Sequence, residues 1–149
     1  MTPFVTAGAG FLLAVLWFDL MFDVQARWHH GEVPDGALAS IAAYYRRVTT
    51  KARPMNRFVA TVMLGTLVAI LIQLLRGDAP RWTATVSLVL TVAAILTAAV
   101  HAVPSAIRLG GRSGSIPEQS RLAHGILRDH LFCASAIAAV LLVQLAFAR

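Results

Sequence analysis

Two aspartates four residues apart, Asp19 and Asp23 in the stretch WFDLMFDVQ, sit at the end of a run that otherwise reads as a bilayer span. On a helix they lie about 40° apart and so share a face. An ionisable group at membrane depth costs roughly 3 kcal/mol on insertion scales, so it turns to the bundle interior or a wet cavity and takes a partner there. The other residues able to do chemistry are Asn56, Arg57, His101, His124, Arg128, Asp129 and His130. Three uses fit the acids: ion pairs with arginines such as Arg57 and Arg128, proton handling, or metal ligation. His124 and Arg128 share a face, whereas His130 points about 120° away from His124, which argues against one metal held by both histidines. His101 reads either as a hydrogen-bonded bundle histidine or as a ligand or base. His29 and His30 beside Trp28 read as surface residues, and Cys133 as a packing residue.

These groups need elements to position them, and the composition says which. Of the 149 residues 58% are hydrophobic and only 13% charged, with a mean hydropathy of +0.70. That balance is outside the range of soluble domains. A span needs roughly 20 apolar residues at about 1.5 Å of rise each. Four segments qualify, at about 3–24, 56–76, 82–105 and 122–148. The expected fold is an all-α integral membrane four-helix bundle, one domain over 1–149. The N-terminal run lacks a basic leader and is expected to stay as a helix rather than be cleaved. A lone cysteine leaves no intramolecular disulfide.

The net charge of +6 invites a nucleic-acid reading, but its placement argues for topology and against nucleic acid. Arg27, Arg46, Arg47, Lys51, Arg53 and Arg57 border the first loop, and Arg108, Arg112, Arg121 and Arg128 border the third. Arg76, Arg81 and Arg149 remain for the other side. The positive-inside rule then puts loops one and three in the cytoplasm and both termini outside a cell membrane such as a bacterial inner membrane. In the first loop, Leu38, Ile41, Ala42 and Tyr45 keep helical spacing beside basic residues, which predicts a short interfacial helix. Pro104 is expected to kink or close the third helix. The stretch GGRSGSIPEQS reads as a flexible linker, with Ser120 as N-cap of the fourth helix. The polar residues thus converge on the cytoplasmic ends. The basic cluster there suits anionic headgroups, or an anionic or polyphenolic ligand at the mouth.

The order AGAGFLLAVLWFDLMFDVQAR, YYRRVTTKARPMNRF, HAVPSAIRL and LAHGILRDHLFCASAIAAVLLV resembles the small four-helix membrane proteins that include the anthrone oxygenases. Val103, Pro104 and Arg128 match that family's pattern. Ala102 stands where an asparagine is usual, and the second asparagine is missing from PSAIRL. The resemblance implies oxidation of an apolar or phenolic substrate by dioxygen. His101 or Asp19 would then be the base and Arg128 the enolate stabiliser, with Asp23, Arg57 and His124 binding substrate. No cofactor or metal is indicated by a motif. Two further readings stand beside this membrane oxidoreductase: a proton- or cation-coupled carrier or channel subunit, and a non-catalytic structural or accessory subunit. The lipid bilayer is the expected partner in every case, and self-association into a homo-oligomer is compatible with all three. For the accessory reading, the small residues of CASAIAAV could face a partner or pack inside the bundle.

Overall fold

The apolar runs become four long helices, each with enough length and hydropathy to cross a bilayer: Thr2–Arg27, Pro54–Arg76, Arg81–Gly110 and Ile116–Phe147. The computed structural model describes residues 1–51 and 53–147. Arg149, counted above with the outer basic residues, and residue 148, at the end of the fourth expected span, lie outside the described residues. Helices α1 (Thr2–Arg27), α2 (Asp35–Arg46), α3 (Arg53–Arg76), α4 (Arg81–Thr97), α5 (Val103–Gly110) and α6 (Ile116–Phe147) follow in chain order. Wider π-helical turns at Arg47–Lys51 and Ala98–Ala102 follow α2 and α4. There is no strand among the described residues, and the chain is an all-α membrane bundle.

Only 17% to 33% of each helix's most apolar window is buried within the protein. The rest faces outward, with Phe4, Trp17, Leu64, Leu75, Val89 and Leu142 exposed, as suits a surface solvated by lipid. Helix α1 packs against α3 and α6, and α4 packs against the same two, so the long helices form a ring. Along α6, residues Ile126, His130, Cys133, Ile137, Val140 and Gln144 are all buried. Their alternating spacing of four and three makes them the inward stripe of a bundle helix. The CASAIAAV segment thus turns Cys133, Ala136, Ile137 and Val140 into the core with Val5, Ala9 and Ala94.

Helix α2 is amphipathic as predicted, burying Leu38, Ile41, Ala42 and Tyr45. It rests on the bundle end, against α1, α5 and α6. Its approach to α5 is close: a Cβ on Gly110 would stand 2.9 Å from the Arg46 backbone nitrogen. Pro104 does not end the third span. The preceding π turn, in which the Val103 N–H donates to the Ala98 carbonyl, lets Pro104 enter the first turn of α5, where its missing N–H costs little.

The fourth long helix begins earlier than Ser120. Ser115 precedes it, and the Glu118 carboxylate accepts the Ser115 N–H at 2.9 Å, a capping box with Pro117 in the first turn. Half of the expected linker is therefore helix. Ser120 lies inside α6, where its hydroxyl accepts the Val33 N–H at 2.9 Å and ties down the first loop.

Candidate functional site

The two α1 acids meet tyrosines and a histidine. Tyr45, buried on α2, donates its hydroxyl to Asp23 Oδ1 at 2.5 Å. On the other side of that carboxylate, His130 Nδ1 lies 2.6 Å from Oδ2, an ion pair when the imidazole is protonated. The Asp23 side chain is wholly buried. Tyr44 donates to Asp19 Oδ1 at 2.7 Å, and its ring stacks on Phe22 with centroids 4.0 Å apart. Consecutive residues at the end of α2 thus reach consecutive turns of α1. Burial, reinforced by the facing carboxylates, raises both phenols well above the ordinary tyrosine range, so both remain hydrogen-bond donors.

The arginines expected as partners stand elsewhere. Arg57 is exposed. The Arg128 side chain is 79% exposed and lies 3.7 Å from its neighbour Asp129. A guanidinium keeps its hydration by reaching outward, and each acid already takes a tyrosine hydroxyl as donor. The expected pairing of Asp19 and Asp23 with these arginines is therefore corrected. His101 is exposed in the second π turn. His124 faces backbone carbonyls: Ser120 at 2.8 Å, His29 at 2.7 Å and Ala26 at 3.1 Å. Two of those carbonyls belong to the end of α1 and the residues after it, where helix carbonyls lack intrahelical partners.

Of the six residues given a catalytic or binding role from the sequence, Asp19 and Asp23 share the cluster, while Arg57, His101, His124 and Arg128 stand apart from it. Tyr44 and Tyr45 were missed, and His130, named among the polar residues, was given no site role. A signal for His130 existed in the stripe on α6; the tyrosines carried the helical spacing of α2 but no hint of which helix they would meet. Among the described residues no three His, Cys, Asp or Glu side chains gather as a metal site.

Beside the cluster lies a cavity of about 600 Å³ between α1, α3, α6 and the third span. Asp19, Tyr44, Tyr45 and His130 line one end, Thr91 and Cys133 lie along its wall, and most of the remainder is aliphatic or aromatic. A second, shallower groove at the same end of the bundle is lined by Arg27, His29, Glu32, Arg121 and His124.

The fold and these clusters define a polytopic α-helical membrane protein with polar groups locked inside its bundle. The family model described as ER membrane protein SH3, of the SHR3 chaperone family, matches residues 1–146, and the chain belongs to that family. This overturns the resemblance to the anthrone oxygenases, whose shared features are mostly those of any small four-helix membrane protein. The family description supports neither an oxidoreductase nor a bacterial setting. No curated protein and no solved structure matches the chain.

Proposed function

We propose that the chain is a non-catalytic accessory membrane protein that assists other membrane proteins, in the sense its family's name, chaperone, conveys. The family match over residues 1–146 carries this reading. Two structural features support it. Asp23 is engaged by Tyr45 and His130, and His124 by the carbonyls of Ala26 and His29, which favours a framework role for both. The outward surface is apolar on all four long helices, which suits contact with client helices as well as lipid.

The family's description names the ER membrane, and the same setting is proposed for this chain. Residues 1–149 form one four-helix unit in this reading. Its ends bordered by ten basic residues face the cytoplasm, both termini lie on the opposite side, and Arg57 and Arg128 meet anionic headgroups.

The test is removal of the chain from its host, followed by quantitative comparison of native and aggregated membrane proteins. A set of multi-pass proteins should move from the native to the aggregated fraction and return on re-expression. An unchanged membrane proteome would sink the reading.

A further inference from the structure

The cavity has a chemistry that a framework role does not use. Its about 600 Å³ falls within the range of small-molecule sites. Among the described residues that line it there is no lysine or arginine; the ionisable ones are Asp19, Tyr44, Tyr45, His130 and Cys133, and His130 is committed to Asp23. Asp19 has one oxygen engaged by Tyr44, and the carboxylate faces the cavity. The polar end therefore offers a carboxylate whose second oxygen has no hydrogen-bond donor among the described residues.

Thr91 is a second, independent sign. Thr61, Thr66 and Thr85 each return the hydroxyl to the carbonyl one turn back, as threonines in apolar helices do. Thr91 is completely buried and its Oγ1 has no partner among the described residues, yet the side chain lines the cavity. An unsatisfied buried hydroxyl costs about 1–3 kcal/mol, a deficit that a polar atom of a bound molecule would remove.

The way in is from the bilayer. Helix α3 packs on α1, α4 and the π turn Arg47–Lys51, which also touches α5, but among the described residues not on α5 itself or the π turn Ala98–Ala102. Met55 on α3 and Val103 and Ile107 on α5 line the cavity and are at the same time half or more exposed.

We propose that this cavity binds a lipophilic amine entering laterally between α3 and α5, its ammonium on Asp19, its apolar body along the bundle core and a second polar atom on Thr91. The proposal stands apart from the chaperone reading, since either can fail alone.

Cys133, the only cysteine, lines the same cavity and reports occupancy. The full chain in lipid nanodiscs is alkylated with N-ethylmaleimide, followed by intact mass, with octane, octanol, octylamine or aminooctanol present. Protection by an exclusive ligand grows with its concentration over Kd, so octylamine at ten times Kd should slow labelling about tenfold. Octane and octanol should do far less, and aminooctanol should act at lower concentration than octylamine. Asp19→Asn should abolish the octylamine effect, Tyr44→Phe should retain it, and Thr91→Val should remove the advantage of aminooctanol. Each variant is checked by thermal unfolding for a folded state at the labelling temperature, and if Asp19→Asn does not fold, Thr91→Val decides, since an aminooctanol advantage that survives it overturns the proposal. Absence of protection by either amine overturns the proposal. So does equal protection by octane or octanol, or octylamine protection that survives in Asp19→Asn.

Discussion

At the scale of single residues, the cluster turns on which donors an acid at the end of a membrane helix can reach. Asp19 and Asp23 were legible as one wall of a polar cluster, because two acids one turn apart in an apolar run must face inward together. Their partners were not legible. Arginine is the stronger complement on paper, but it can leave the bundle for headgroups, whereas Tyr45 is held inside by the same face that buries Leu38 and Ile41. The two tyrosines then differ in consequence. Tyr45→Phe removes one of the donors to a fully buried carboxylate and should cost about 1–3 kcal/mol in detergent unfolding. Tyr44→Phe should cost clearly less, because Asp19 is only partly buried and faces the cavity. Equal losses would mean that the burial of Asp23 does not set the energetics. The same phenols predict an alkaline limit. The chain has only these two tyrosines, both raised by burial and then by the facing carboxylates. A raised folded value means that their contribution is complete below the unfolded tyrosine value of about 10 and is lost as pH climbs above it. Tyrosinate absorbance should therefore stay absent from the folded protein at about pH 10 and appear together with unfolding at higher pH.

At the scale of elements, periodicity identified what each segment is, and close contacts decided where it ends. The four apolar positions of α2 were readable from spacing alone. The start of α6 was not, since Ser120 looked like a cap while the Ser115 and Glu118 pair lay inside a Gly- and Ser-rich stretch that reads as a loop. Pro104 was read as a stop or kink because the widened turn that admits it leaves no mark in composition. Gly110 shows how much depends on contact. Its missing Cβ lets α5 touch the α2 backbone, whereas a Cβ on Gly10 of α1 would meet nothing within 4 Å. Gly110→Ala should force α2 and α5 apart and cost about 1–3 kcal/mol. Gly10→Ala should instead be neutral or stabilise by roughly 0.5–1 kcal/mol through helix propensity. Thermal unfolding of the two variants gives opposite signs if the α2–α5 approach is as tight as the geometry has it, and the same sign if it is not.

At the scale of the whole molecule, four spans and the asymmetry of basic residues could be read from the sequence, since both follow from summed hydropathy and charge. What could not be read is how the far end of the bundle is fastened, because neutral amides leave no trace in either sum. Gln73 of α3 and Gln144 of α6 exchange two hydrogen bonds of 3.0 Å, Gln144 also donates to Ser87 of α4 at 3.0 Å, and Gln73 donates to Thr2 of α1 at 3.1 Å. All four long helices are joined there by neutral groups, while the Asp23–His130 cluster joins α1, α2 and α6 at the other end. Hydrogen bonds inside membrane bundles average only about 0.6 kcal/mol each, since the unfolded helices find other partners. An orphaned amide in a dry core is the larger penalty, so Gln144→Leu should cost about 1–3 kcal/mol by stranding Gln73 and Ser87. The Gln73→Leu, Gln144→Leu double variant strands fewer groups and should lose about 1 kcal/mol less than the sum of the single losses in a double-mutant cycle. Strict additivity would mean that water reaches the amides and that the far end is held by apolar packing alone.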